Sequence, residues 1–308
     1  MSSLSELIQR DLEQPPPADL DGLMAALRQR YGASLRAIVV YGSCRRDVNV
    51  HEGLVDLLVL VDRYRNIHPW PVAIANKLLP PNVYFLQTRE ESPVRCKYAV
   101  ITLNQFARRC HSRSDHYFWA RFTQPCRLLW AAEPSTLAGE LAESRARAAR
   151  SFCRRVAPLC TDPTDAAGFW EQALAMTYRC ELRPEPPGNA RHLIGADPEY
   201  WQSLTRALAE QPDSHLVAEG RGWRGQANGW QRWLTAASWR LRQISGKSLN
   251  LLRLFKAAGT FSNGIDYVTW KVERHSGVRL EPTERMRRHP RLAAWGLAWK
   301  LWRQGGFR

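Results

Sequence analysis

One stretch of the chain joins two apolar runs through a Gly-Ser dipeptide and sets an aspartate into the second run. The first run, Ala37–Tyr41, is rich in β-branched residues and ends directly in Gly42-Ser43. The second run, Leu54–Val61, carries Asp56. Apolar runs of this length and composition, bounded by a glycine turn, predict buried β-strands. The stretch therefore predicts a strand, a Gly-Ser turn, a connecting segment and a second strand that carries a carboxylate.

The residue types at this turn and on the second strand suit a phosphate and a metal ion. Gly42 lets the backbone approach an anion closely, and Ser43 adds a hydroxyl and amide donors. A carboxylate on a buried strand is costly to desolvate unless it is paired, hydrogen-bonded or bound to a metal. We therefore expect Asp56 to hold Mg²⁺ against phosphates bound at the turn. The alternative is two ordinary core strands and a capped turn, because Gly-Ser is a common dipeptide.

Together these elements resemble the Gly-Ser and metal-carboxylate elements of the polymerase-beta-like nucleotidyltransferase superfamily. In the generic superfamily a second carboxylate lies two residues before the position of Asp56, on the same strand face. Here that position is Leu54. One interpretation is an inactive nucleotidyltransferase.

The composition restricts the class of partner. Of 308 residues, 44% are hydrophobic and 24% are charged, as in soluble globular proteins. The formal net charge of +15 favours anionic partners, which are nucleic acid, nucleotides or acidic lipid surfaces. The seven cysteines form no CxxC pair, so neither a zinc site nor a disulfide framework is predicted. No run approaches the roughly 20 apolar residues of a spanning helix, and the N-terminus lacks a hydrophobic signal core, so secretion is not expected.

The chain divides into three predicted parts, which together give an α+β fold. Residues 1–131 alternate helical and strand patterns and predict a small mixed-sheet domain. Residues 132–245 are rich in Ala, Arg and Glu and predict a helical domain. Residues 246–308 are basic and rich in tryptophan. Besides the two strands above, the predicted elements are helices within 1–14, Asp21–Tyr31, Pro71–Leu79 and Ser248–Ala258, strands Val83–Gln87 and Lys97–Leu103, a mostly helical segment 104–125, and a loop at 214–230.

Four blocks of the first part resemble the mitochondrial-type phosphatidate cytidylyltransferases, the translocator assembly and maintenance family that makes CDP-diacylglycerol. The order and spacing of the family's blocks are kept. The blocks are YGS at 41–43 with LVDLLVLVD at 54–62, Trp70 with NKLLPPNVYF at 76–85, KYAVI at 97–101, and YFWARFTQP at 117–125. In this family too an apolar residue stands at the position of Leu54, so Leu54 is typical of it. The family's histidines in the second block are not matched, and Ala120 and Gln124 replace its glycine and lysine in the fourth.

A further segment, TYRCELRPE at 177–185, resembles the family's Ser-Tyr-x-Gly-Asp-x-Arg block. The resemblance assigns Glu181 to the acidic position and Arg183 to the arginine, with Cys180 where the family has glycine. The family sets a winged-helix-like domain against the nucleotidyltransferase domain, with the active site between them. The resemblance therefore implies that Glu181 supplies a second carboxylate beside Asp56. The alternative is a surface helix glutamate.

The end of the chain predicts attachment to a membrane surface. Residues 282–308 carry seven Lys or Arg and one acid, Glu284, so their local charge is seven minus one, or +6. Trp295, Trp299 and Trp302 recur at helical spacing, with Arg291 elsewhere on the helical wheel. This pattern is typical of an interfacial amphipathic helix on anionic lipid. The alternative is a segment that docks onto the protein's own core.

The resemblance implies a reaction, in which CTP and phosphatidic acid give CDP-diacylglycerol and pyrophosphate with Mg²⁺ as cofactor. The Gly-Ser turn would hold the triphosphate, and Lys97 and Arg121 would neutralise phosphate charge. Tyr84 or Tyr98 is expected to stack on cytosine. For Arg121, which follows Tyr117 by four residues on one helix face, the alternative is an ordinary solvated charge.

The expected partners are CTP, phosphatidic acid and an anionic membrane surface, with no nucleic acid. The expected location is the cytoplasmic face of the inner membrane in a bacterium, or the matrix side in a mitochondrion. Two other functions stay open. Nucleotidyl transfer to RNA or a small molecule would use the same elements, and the net charge suits tRNA. A non-catalytic basic scaffold for membrane or nucleic acid would follow if Leu54 marks an inactive site.

Overall fold

The computed structural model describes residues 3–42, 50–51, 53–88, 92–181, 188–260 and 284. The largest sheet in this part of the chain has five strands: β1 (Leu35–Tyr41), β2 (Val55–Val61), β3 (Asn82–Gln87), β4 (Arg95–Thr102) and β5 (Cys126–Ala131). Their order across the sheet is β3-β4-β2-β1-β5. β1 is antiparallel to both of its neighbours, β2 is parallel to β4, and β3 is antiparallel to β4. The sheet is therefore mixed, as predicted.

Ten α-helices and a two-stranded hairpin make up most of the remaining described residues. The helices are α1 (Leu4–Leu12), α2 (Asp21–Tyr31), α3 (Trp70–Leu78), α4 (Leu103–Cys110), α5 (His116–Thr123), α6 (Pro134–Val156), α7 (Ala166–Tyr178), α8 (Asn189–Gly195), α9 (Pro198–Ala209) and α10 (Gly229–Thr260). The hairpin pairs β6 (Leu216–Glu219) with β7 (Gly222–Gly225). Local chemistry sets several ends. A capping box between Ser3 and Glu6 begins α1, and α2 ends at Gly32, whose φ is +50°.

Strand alternation gives each face of the sheet its own hydrophobic core. Successive strand residues point to opposite faces, so Val39 and Leu58 join one core while Val40 and Leu57 join the other. Residues of α1, α4, α5, α6, α7 and α9 contribute to the first core, and residues of α2 to the second. Because both faces are buried, the strands read as continuous apolar runs in the sequence.

A buried ion-pair network ties the sheet to the helices that follow it. Oδ1 of Asp11 in α1 accepts from Nη1 of Arg127 in β5 at 2.5 Å, and its Oδ2 accepts from Nη2 of Arg145 in α6 at 3.0 Å. The Arg145 guanidinium also donates to the main-chain oxygens of Phe122 and Gln124. Removing one partner from such a buried pair typically costs about 3–5 kcal/mol. The network and the first core both continue across the boundary predicted at residue 131.

Other predicted elements are corrected by the structure. The loop predicted at 214–230 is wrong in part, because the middle of that segment forms the β6–β7 hairpin. The helix predicted from Ser248 begins at Gly229 instead. The boundary predicted between residues 245 and 246 therefore falls inside α10.

The predicted membrane-binding helix lies outside the described residues, apart from Glu284, which is helical. The four residues assigned to it, Arg291, Trp295, Trp299 and Trp302, keep their roles as predictions. In the described ranges, no helix combines the length and the apolar character needed to cross a membrane.

Candidate active site

The site begins where β1 ends, at Gly42. Its φ is +78°, a left-handed conformation that favours glycine. A Cβ built on Gly42 would lie 3.2 Å from Oδ2 of Asp56, so the backbone here approaches the carboxylate closely. Pairing of β1 with β2 sets Tyr41 opposite Asp56 and so fixes this approach. Ser43, the predicted partner of Gly42, lies outside the described residues.

Asp56 lies on β2, and the neighbouring strands β1 and β4 place different residues beside it. On the β4 side, the parallel register sets Lys97 beside it. Burial raises the pKa of the Asp56 carboxyl above its ordinary value, and the positive charges of Lys97 and Arg121 offset this shift only in part. A desolvated carboxylate beside specific cations is a frequent feature of functional sites.

Arg121 of α5 acts on the Asp56 carboxyl from one of the helices that cover the sheet. Its guanidinium carbon lies 4.8 Å from the ring centroid of Tyr117 and 5.3 Å from that of Tyr41. Burial acts to lower the pKa of Arg121, but Tyr117, Tyr41, Asp56 and Glu181 together outweigh it and raise that pKa. The guanidinium therefore stays charged against two aromatic faces. The interpretation of Arg121 as an ordinary solvated charge is wrong in this structure.

Glu181 belongs to the same electrostatic neighbourhood. It follows α7 in a turn whose amides bond back to the helix, with the Glu181 N–H donating to the carbonyl oxygen of Tyr178 at 3.0 Å. Its negative charge is one of the influences that raise the pKa of Arg121. Glu181, just after a helix, and Asp56, on a strand, thus both act on the charge of Arg121. Arg183 lies outside the described residues.

These residues fit a metal ion that arrives with a phosphate ligand. In the part of the chain that the structure describes, no group of three or more His, Cys, Asp or Glu side chains converges as a metal site. Mg²⁺ commonly binds through one or two carboxylates and fills its remaining positions with water and substrate phosphates. Asp56 offers one desolvated carboxylate, and its raised pKa reflects a negative charge that a cation would stabilise. The donor set therefore suits a magnesium–polyphosphate complex rather than a preformed metal cage.

Arg253 of α10 is a site residue that the sequence analysis missed. Its guanidinium carbon lies 5.1 Å from the ring centroid of Tyr117, the ring that Arg121 also contacts. One Nη of Arg253 lies 3.6 Å from Asp115, while its Nε is buried without a hydrogen-bond partner. Two guanidinium groups thus flank one tyrosine. No local pattern predicts this contact, because Arg253 follows Tyr117 by 136 positions in the sequence (253 minus 117).

Tyr84 and Tyr98, which were predicted to stack on cytosine, both lie in the second hydrophobic core. Tyr98 is 0% exposed and Tyr84 is 4% exposed, and their ring centroids lie 5.4 Å apart in a stacked arrangement. The Tyr84 hydroxyl accepts a bond from Asn82 at 2.6 Å and lies 3.1 Å from Nε2 of His68. Because strand residues alternate, Tyr98 faces away from the side of the sheet to which Lys97 points. Stacking of either ring on cytosine is therefore not supported.

A separate cavity of about 840 Å³ lies between α1, β5 and α9. Its lining includes Asp11 and Arg127, which already pair with each other. The residues that attract a phosphate converge at Asp56, so chemistry rather than volume identifies the candidate active site.

The functional interpretation of this site depends on its own geometry. Comparison of the chain with models of known protein families finds no match, and comparison with curated proteins finds none either. The defining features are a glycine against the Asp56 carboxylate and two cations, Lys97 and Arg121, beside it. Such an arrangement can bind a phosphate group and stabilise charge that develops on it.

Proposed function

We propose that the protein is a phosphatidate cytidylyltransferase, which makes CDP-diacylglycerol and pyrophosphate from CTP and phosphatidic acid at a membrane surface. The observation that carries the proposal is the contact of Gly42 with Asp56 beside Lys97 and Arg121. It joins a phosphate-binding turn, a metal-binding carboxylate and two cations. The same residues lie in the blocks that resemble the mitochondrial-type enzymes.

Each charged residue has a role in binding the two phosphate-bearing substrates. The Gly-Ser turn binds the triphosphate of CTP through backbone and hydroxyl donors. Lys97 and Arg121 balance the charge that grows on the leaving pyrophosphate. Arg253 of α10 contacts the phosphate of the incoming lipid. When bound, Mg²⁺ held by Asp56, with Glu181 as the second candidate ligand, neutralises phosphate charge.

The proposed reaction is a substitution at the α-phosphorus of CTP. An oxygen of the phosphatidate headgroup forms a new bond to that phosphorus. The bond from the phosphorus to the oxygen that bridges to the β-phosphate breaks, and pyrophosphate leaves with the electron pair. A phosphate monoester has a second pKa of about 6 and is mostly dianionic near neutral pH. The nucleophile therefore needs little help from a base, which fits Leu54 in place of a second strand carboxylate.

The finer description of the fold belongs to the same proposal. The mixed sheet with its covering helices would be a nucleotidyltransferase domain, and α7, α8, α9 with the β6–β7 hairpin would be a winged-helix-like domain. The basic C-terminal segment would associate with the membrane. The protein would then be a peripheral membrane protein. It would lie on the cytoplasmic face of the inner membrane in a bacterium, or on the matrix side in a mitochondrion.

The formal charge of +15 favours one further candidate, nucleotidyl transfer to RNA. A polynucleotide acceptor would use the same turn and the same carboxylate. The acceptor that takes up label from CTP distinguishes the two functions. A catalytically inactive scaffold would transfer label to neither acceptor.

The test uses purified full-length protein with Mg²⁺ and CTP labelled in the α-phosphate. Phosphatidate vesicles and bulk tRNA are supplied as acceptors in separate reactions. We expect lipid-soluble label that depends on phosphatidate, and release of one pyrophosphate for each lipid labelled. Label in tRNA alone would support the RNA candidate, and label in neither would support the inactive scaffold. ATP, GTP and UTP labelled in the same position test whether cytosine is selected.

A further inference from the structure

One face of α10 fixes this long helix to the rest of the protein. Trp239 is 3% exposed, and its Nε1 donates to the main-chain oxygen of Arg155 at 2.7 Å. Gly246 lies on the same side of the helix, where a Cβ would stand 2.8 Å from the ring of His116. The opposite face of α10 is therefore directed away from the protein.

That opposite face is an apolar stripe. Six large apolar side chains of α10 are between 45% and 69% exposed: Trp230, Trp233, Leu234, Leu241, Ile244 and Leu252. An α-helix turns about 100° per residue, so these six positions fall within an arc of about 100° that is centred roughly opposite Trp239. A stripe of this width normally packs against another apolar surface.

A second, shorter stripe lies on α3. Trp70, Ile74 and Leu78 follow one another at intervals of four residues and are 70%, 44% and 68% exposed. The Nζ of Lys256 joins the two helices, since it donates to Oδ1 of Asn76 at 3.2 Å and to main-chain oxygens that follow α3. Across the described ranges, the large hydrophobic side chains that are strongly exposed lie on these two adjoining helices.

The charge of α10 indicates what covers these stripes. Its 32 residues include six Lys or Arg and no acid. Two of the six, Arg240 and Lys247, are exposed and border the apolar stripe on the helical wheel. Residues 261–308 carry ten Lys or Arg against four acids, a net charge of +6. Like charge therefore disfavours this segment, or a second copy of α10, as the cover and favours an anionic surface.

We propose that the stripes of α3 and α10 form a docking face for an anionic lipid bilayer. Trp and Leu side chains would enter the boundary between headgroups and acyl chains, while Arg240 and Lys247 contact lipid phosphates. The face deepens the proposed function and rests on it, because α10 also carries Arg253 to the ring of Tyr117, which Arg121 of the candidate active site contacts as well. Binding to the bilayer itself requires neither CTP nor phosphatidate.

The experiment is flotation of the full-length protein with vesicles of phosphatidylcholine, with or without phosphatidylglycerol. The test variant combines Leu241→Gln, Ile244→Gln and Leu252→Gln. All three side chains are exposed, so the variant should keep its thermal unfolding midpoint. Its partitioning onto phosphatidylglycerol vesicles should fall about tenfold or more. Ser248 is exposed within the same arc, so Ser248→Leu should increase partitioning.

Three results would overturn the docking face. The first is wild-type partitioning of the triple glutamine variant. The second is that the Trp295→Ala, Trp299→Ala, Trp302→Ala variant loses vesicle binding while the α10 variant keeps it. The third is a change of solution mass from dimer to monomer without a change in vesicle binding, which would assign the stripe to a second copy. The flotation result does not depend on the proposed reaction, because these vesicles contain no phosphatidate. The docking face and the reaction can therefore fail independently.

Discussion

Oδ2 of Asp56 lies 3.2 Å from the point that a Cβ on Gly42 would occupy. Gly42 also has a φ of +78°. Two constraints therefore act on one residue, a left-handed backbone and a carboxylate against its Cα. A ligand bound at the end of β1 would therefore lie next to this carboxylate. For this reason we define the candidate active site by Gly42 and Asp56.

Gly42→Ala should remove transferase activity and destabilise the protein. The left-handed conformation alone costs an alanine about 1–2 kcal/mol, and the methyl group would also press on the Asp56 carboxylate. Urea unfolding and CTP turnover check both effects. The matched control is Gly139→Ala in α6, where no atom lies within 4 Å of the added Cβ. It should stabilise the protein by about 0.5–1 kcal/mol and leave turnover unchanged. A fully active Gly42→Ala variant would remove the turn from the site.

Asp56→Asn should abolish nearly all turnover while the protein stays folded. The substitution removes the charge that would hold Mg²⁺ and keeps the shape of the side chain. Label transfer from CTP and far-ultraviolet circular dichroism measure the two properties. Substantial residual turnover in the folded variant would show that the carboxylate is not a metal ligand in the reaction.

The same substitution should change the pH dependence of stability. Burial raises the pKa of Asp56 in the folded protein, so between its ordinary and its raised pKa the folded state holds a proton that the unfolded state has lost. The contribution of Asp56 to stability therefore falls as pH rises through this window. Relative to wild type, Asp56→Asn should gain stability at pH 7 and gain little well below the ordinary pKa. Urea titrations at both pH values test this, and an equal difference at both would contradict it.

Strands β1 to β4 and the closeness of Asp56 to the Gly42 turn were predictable because they depend on local patterns, whereas β5 was not predicted. Apolar runs next to Gly42 and Gly53 identify β1 and β2, and helix periodicity identifies α2. The position of Tyr98 follows a rule that the sequence also contained. Lys97 and Tyr98 are adjacent on one strand, so their side chains point to opposite faces and only one of them can reach Asp56.

Other features depend on contacts that no local pattern encodes. Arg253 approaches Tyr117 only because Gly246 and Trp239 dock α10 against distant elements. The hairpin β6–β7 has four-residue strands in a glycine-rich segment, so its composition resembles that of a loop. The start of α10 was missed for the same reason, because several glycines precede Gly229.

Arg121→Ala should lower kcat/KM for CTP by about 10- to 100-fold, since a charge-assisted bond to phosphate is worth about 1.5–3 kcal/mol. Arg121→Lys should recover only part of the loss, because lysine cannot stack its charge on Tyr117 and Tyr41 as a planar guanidinium does. Steady-state kinetics with both variants provide the measurement. Arg108→Ala, which changes an exposed arginine on α4, is the control and should behave as wild type. Unchanged kinetics in Arg121→Ala would show that Arg121 takes no part in the reaction.

Arg253→Gln should raise KM for phosphatidate and leave CTP binding unchanged. The side chain contacts Tyr117 from α10, so its loss removes the cation that is proposed to contact the lipid phosphate. Arg253 also lies near Asp115, and a structural effect through Asp115 has to be separated from a phosphate effect. Arg109→Gln does this, because Arg109 pairs with Asp115 at 3.1 Å. Equal KM changes in the two variants would indicate a structural role for Arg253.

Substitution of the C-terminal tryptophans tests the prediction that residues 282–308 bind a membrane surface. Changing Trp295, Trp299 and Trp302 together to Ala should remove most sedimentation with anionic vesicles, because tryptophan anchors in the headgroup region. Arg291→Gln should weaken binding to anionic vesicles alone, by about 1 kcal/mol. Turnover of phosphatidate in vesicles should fall far more than turnover of a short-chain soluble analogue, since only the vesicle substrate requires surface attachment. CTP binding should survive, because the Asp56 site lies in a different part of the chain. A triple alanine variant that binds vesicles and turns over phosphatidate at the wild-type rate would make this segment structural and leave α3 and α10 as the membrane contact.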